Sequence, residues 1–177
     1  MDGKWLSTGQ TLQGAGMTTT PFDDHTGFDR RWGHPDRSRM HALADADPLL
    51  FAADHISIYD RRVGSIALCI LLQNGPSAIA CIPDGPPDPA DTDCLVLIGN
   101  AVMRMGEEVR AVGVVHHRLG GTHVTDLDRR WALALKAASM ALDFEPIGVL
   151  ARLYSGALVR VPIPTVLPAE YMGELTE

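Results

Sequence analysis

The stretch "VVHHRLGGTHVTDLDRR", residues 114–130, decides how this chain is read. An apolar run leads in, a Gly-Gly pair breaks it, and a helical pattern follows. "AVGVVH" (111–116) predicts a strand, "RLGG" its turn, and Thr125 the start of a helix. Leu127, Trp131, Leu135, Ala138 and Leu142 then recur at steps of three and four, which is one helical face. That face is core, and Trp131 belongs to it. His116 and His117 are neighbours, and on a strand neighbouring side chains point to opposite faces. They are therefore not a chelating pair. Thr125-x-x-Asp128 has the form of a capping box, with Asp where Glu or Gln is usual. Asp126 and Asp128 also suit the positive end of a helix. His117 reads as a polar strand end, and His123 as loop surface.

Working outward, "VGSIALCILLQ" (63–73) and "SAIACIP" (77–83) flank Asn74-Gly75, a hairpin signal. Both runs are apolar at successive positions, so at least one strand is expected to be covered on both faces. "DGPPDPADTD" (84–93) is a Pro- and Asp-rich loop that ends in helix-start residues. Leu95, Ile98, Val102, Met105 and Val109 follow as one helical face. Gly99 and Gly106 weaken that helix and are expected to let it pack close to the sheet. "PIGVLARLY" (146–154) and "ALVRVPIP" (157–164) predict two further strands around Ser155-Gly156. Upstream, short helices are expected near 39–46 and 48–54, with "HISIY" opening the sheet. The expectation is an α/β fold: a mixed β-sheet flanked by two main helices, in the order β-β-α-β-α-β-β. Residues 1–38 read as a flexible arm, 39–166 as the domain and 167–177 as a tail.

The chain has 177 residues and a net charge of -7, with acidic side chains spread throughout. That opposes general phosphate binding, which relies on a Lys/Arg surface. The basic stretch "DRRWGHPDRSRMH" (29–41) reads as a solvated tail. Cys69, Cys81 and Cys94 form no C-x-x-C pair, and Cys69 and Cys81 lie in apolar runs where buried thiols are common. A reducing, cytoplasmic setting of bacterial type is expected, with no disulfide framework and no thiolate zinc site. No apolar run reaches membrane-spanning length. The N-terminus lacks the order of a signal peptide, and Met17 reads as an alternative start. No phosphate-loop or dinucleotide fingerprint occurs, although Gly120-Gly121 before a helix start offers backbone N–H groups to an anion.

The order of elements and the 114–130 stretch resemble a JAB/MPN domain, most closely its RadC-like branch. That family carries His-x-His, seven residues, Ser, two residues and Asp. The resemblance covers roughly residues 48–164 and implies a zinc site held by two His and the Asp. The Ser would support a tetrahedral intermediate, and an upstream Glu would act as general base. With His117 as the second His, Thr125 takes the Ser position and Asp128 the Asp position, while Val115 falls on the first His. Valine cannot ligate a metal. Shifting by one makes His116 the first ligand but places Arg118 second and Arg129 on the Asp. His123 is a possible substitute ligand from the turn. No Glu precedes Glu107 in the chain, so only Asp54 or Asp60 could stand in for the base, with a shorter reach.

The resemblance with these departures implies a degenerate JAB fold that is not a zinc peptidase, with no cofactor and no catalytic residue. Its expected partner is another protein or a second copy of itself. The alternative is a zinc hydrolase using His117, Asp128 and either His116 or His123, with Thr125 in the catalytic role. A second alternative is DNA association through Arg30, Arg31, Arg37 and Arg39, which the acidic charge opposes.

Overall fold

The computed structural model describes residue 42 and residues 46–56, 61–74 and 78–169. The 1–38 arm, the basic stretch 29–41 with its four arginines, Asp60 and most of the 167–177 tail lie outside these. So does most of the helix expected near 39–46.

Among the described residues three α-helices and five strands are formed: α1 (Pro48–His55), β1 (Ile66–Leu72), β2 (Ala78–Ile82), α2 (Asp91–Met105), β3 (Val109–Arg118), α3 (Asp126–Leu142), β4 (Glu145–Leu153) and β5 (Leu158–Val161). They build one mixed sheet in the order β2-β1-β3-β4-β5. The β1–β2 pair is the antiparallel hairpin that Asn74 introduces. β3 lies at the centre, antiparallel to β1 and parallel to β4. A parallel pair needs a long crossover, and α3 supplies it.

Helices cover both faces. Ile66, Leu68, Ile70, Val112 and Val114 pack with Trp131, Leu135 and Ala138 of α3 and Ile98 and Val102 of α2. The alternate positions Ala67, Cys69, Leu71, Ala111, Val115 and Leu150 pack under Leu49, Ala52 and Ala53 of α1. Nearly all of β1 is buried, as its unbroken apolar run predicts. No helix among the described residues is long and apolar enough to cross a membrane.

Several expectations are corrected. Val109 opens β3 and does not continue α2. The helix stops at Gly106, whose φ of 76° favours a residue without Cβ. A Cβ at Gly99 or Gly106 would meet nothing within 4 Å, so neither glycine serves close packing. That role falls to Gly113 in β3, where a Cβ would come within 2.5 Å of Leu49 Cδ2. The missing side chain is what lets α1 settle on the sheet. His55 ends α1 and Ile56 caps it, so the start of "HISIY" is helix end rather than strand. Cys81 is exposed because it lies on an edge strand, whereas Cys69 and Cys94 are buried. Burial pushes the Cys94 thiol up to about 12. Leu167, placed in the tail, packs in a buried cluster with Ala137.

Candidate functional site

The C-terminal end of β3 delivers three polar side chains in succession, and all three are buried: His116, His117 and Arg118. Strand alternation divides them. His116 and Arg118 face α3, and His117 faces the α1 side.

On the α3 side the centre is Asp128, which is fully buried. Arg118 grips it with two hydrogen bonds, Nε to Oδ1 and Nη2 to Oδ2, both 2.8 Å. The rest of the guanidinium is spent on the loop. Nη1 donates to the carbonyls of Leu119 (3.1 Å) and Gly121 (3.2 Å), and Nη2 also donates to that of His123 (2.8 Å). A guanidinium has five N–H groups, and here each has an oxygen. The 119–123 loop is folded around this cation, carbonyls inward. It is therefore not the anion-binding turn that Gly120-Gly121 suggested.

Thr125 caps α3 as expected. Its Oγ1 accepts from Asp128 N at 3.3 Å, and its own N donates to Asp128 Oδ2 at 2.8 Å. Asp128 thus closes the capping box and neutralises Arg118 with the same carboxylate. His116 Nε2 lies 2.9 Å from Asp128 Oδ1. The approach is too bent for a hydrogen bond, and this nitrogen has no other partner. The His116 ring rests near Trp131, centroids 6.2 Å apart. Burial opposes ionisation of Asp128. The contacts from His116, Arg118 and the Thr125 N–H outweigh it and hold the carboxyl far below the ordinary range.

These residues do not fit a catalytic zinc. A metal ligand must offer a lone pair, and the site must keep an open position. Three of the roughly four acceptor positions of Asp128 are taken, two by Arg118 and one by the Thr125 N–H. A fixed guanidinium charge within 2.8 Å of both carboxylate oxygens repels a second cation. Among the described residues no three His, Cys, Asp or Glu side chains converge as a metal site.

The other sequence candidates are scattered. His117 is on the opposite face from Asp128, with Nδ1 2.8 Å from Ser65 Oγ. The expected pairing of His117 with Asp128 is therefore replaced by one of His116 and Arg118 with Asp128. His123 is exposed and contributes its carbonyl, not its ring. Arg129 is also exposed and pairs with Asp126 at 2.6 Å. Asp54 sits at the end of α1, where Arg152 Nη1 reaches within 3.5 Å of its carboxylate.

Two arginines organise this corner. Arg118, in the stretch expected to turn, continues β3 instead, two positions from His116 and on the same face. Arg130 ties α3 to the Asp-rich loop through Asp88 (2.7 Å), Asp91 (2.8 Å) and the carbonyl of Pro89 (2.5 Å). The Asp88 contact raises its pKa further.

Comparison with protein-family models, curated proteins and solved structures finds no significant match to this chain. What stands is a class: a mixed α/β domain with a charge-neutralised, buried Arg–Asp–His corner at the ends of its two parallel strands.

Proposed function

We propose that this chain is a non-catalytic, RadC-like JAB-fold protein that serves as a protein-interaction or scaffold module. The carrying observation is Arg118, whose guanidinium is bound bidentately to Asp128 with every N–H satisfied. In this reading His116 and Arg118 take the two His positions and Asp128 the Asp position, with a loop one residue shorter than the family's. An organic cation replaces the metal, and the corner becomes a structural clasp. Such a clasp leaves no ligand set with which a metal could activate a water. This reading assigns the exposed Val96 and Met103 of α2 and Met140 of α3 to contact with a partner or a second copy.

The test is zinc content after exhaustive dialysis, together with sedimentation of the full chain. No bound zinc is expected. Self-association or partner binding is expected to weaken when Val96 and Met103 become Asp. Stoichiometric zinc that disappears in a His116→Ala/Asp128→Ala variant would overturn the reading.

A further inference from the structure

The two outer strands of the sheet, β2 and β5, differ in character. β5 carries Arg160, which is exposed and paired with Asp47, and Pro162 directly after it offers no N–H. A charge and a proline are features that keep a strand edge from pairing with another chain. β2 has neither. Its five residues, Ala78–Ile82, are all apolar and uncharged, and among the described residues no strand lies beyond it. Each of the five keeps some exposure, whereas its neighbour β1 is buried almost throughout.

An outer strand presents a row of N–H and C=O groups away from its sheet, and a further strand is their natural complement. The strand that fits here is β2 of a second copy. An antiparallel pair of identical strands is self-complementary about a two-fold axis. With Ala80 on the axis all five residues pair, Ala78 with Ile82 and Ile79 with Cys81. Each larger side chain then meets a smaller one, and no charge is buried. Ile79 and Cys81 lie on the α1 side of the sheet. α1 covers β1, β3 and β4, and Cys81 remains exposed beyond it, so the copy's strand would cover this margin.

The helix layer suits the same symmetry. α3 packs over β3, β4 and β5 and α2 over β1, so α2 is the outer helix on the β2 side. It is acidic in its first turn, at Asp91 and Asp93, and basic in its last, at Arg104. Asp91 is engaged by Arg130, but Asp93 is exposed and pairs with no cation among the described residues. A two-fold that runs β2 against its copy also sets α2 antiparallel to its copy. Unlike charges and unlike helix ends then approach each other, and exposed Val96 lies against exposed Met103. The helix also supplies area. A five-residue strand pair is small beside the roughly 800 Å² per partner of a standard interface, and the 15 residues of α2 extend it. We propose that this chain forms a two-fold dimer through β2, joining two five-stranded sheets into one, with α2 beside its copy. The proposal rests on the interaction reading and names its partner. Zinc content, which tests the rest of that reading, does not bear on it.

Sedimentation velocity of the full chain under reducing conditions tests it. Across about 1–100 μM a monomer–dimer equilibrium with a Kd in the micromolar range is expected. Cys81→Lys puts a charge on the outer strand at an exposed position and should weaken the dimer at least about tenfold, while Cys81→Ser keeps it. Matching far-ultraviolet circular dichroism establishes that both variants are folded. Hydrogen exchange of the wild type gives a readout that needs no substitution. Amides of Ala78–Ile82 that point away from β1 should gain protection as concentration rises. Protection that does not change with concentration means that the chain covers its own edge, and overturns the proposal. A monomer at every concentration also overturns it. So does a dimer that Cys81→Lys leaves intact, and if that dimer is lost when Val96 and Met103 become Asp, the interaction reading still stands.

Discussion

His116 and His117 are adjacent in the chain and stand in opposite kinds of surroundings. On the α3 side of β3, His116 joins Arg118 and Asp128 in a closed corner where the guanidinium is fully bonded. On the α1 side, His117 borders an open cavity of about 210 Å³, and its Nε2 has no hydrogen-bond partner. The difference teaches that one polar strand end can serve two chemistries. An arginine meets a carboxylate on each face: Arg118 is bound bidentately to Asp128 on one, and Arg152 reaches Asp54 at 3.5 Å on the other.

The largest effect that would break this comparison is removal of the closed-side cation. Arg118→Met leaves Asp128 buried and uncompensated, and should cost about 3–5 kcal/mol in urea unfolding. Adding Asp128→Asn should recover a substantial part of that, because the unpaired charge goes with it. If Arg118→Met alone is near neutral, the clasp is not what holds the corner.

Acid titration separates the two faces. Burial, with smaller contributions from Arg152, Arg61 and His116, pushes His117 down to about 4 from 6.5. Between those values the unfolded chain binds a proton that the native chain does not. Stability should therefore fall as pH drops from 6.5 to 4, by about 2–3 kcal/mol. His117→Gln should flatten that window. Asp128 acts in the other sense, with a folded pKa depressed below its ordinary 3.8. Its contribution is complete above 3.8 and is lost only as pH falls further, through the folded value. Unfolding free energies measured across pH 2–8 in wild type and His117→Gln distinguish the windows.

A smaller effect is expected at the cap. Thr125→Ala removes one acceptor but leaves the Arg118–Asp128 pair, and should cost about 1 kcal/mol. The smallest is expected at the surface, where Arg130→Ala loses contacts to exposed Asp88 and Asp91 and should cost no more than about 1 kcal/mol, less at high salt. A gain-of-function variant sharpens the comparison from the other direction. Arg118→His puts an imidazole two positions from His116 on the same strand face, beside a freed Asp128. Under the JAB reading it should bind zinc that the wild type does not, measurable by metal analysis after dialysis.

Much of the frame was legible in the residues themselves. The unbroken apolar run of β1, the Asn74 hairpin and the three-four spacing from Leu127 to Leu142 are local patterns with local causes. The split of His116 from His117 and the Thr125 cap follow from strand alternation and from the unpaired amides at a helix start. Chain proximity could not settle which histidine meets Asp128. That depends on the length and path of the 119–123 loop, which is organised by Arg118 itself.

The sequence alone thus determined the period of each element and the face on which each side chain falls, because both are set by backbone geometry over a few residues. Only the tertiary structure decided the partners. Arg61, Arg118 and Arg152 are far apart in the chain, and their convergence exists only once β3 and β4 lie parallel and α1 has docked over Gly113. The long, flexible arginine side chain takes its role from whichever oxygens the fold brings within reach.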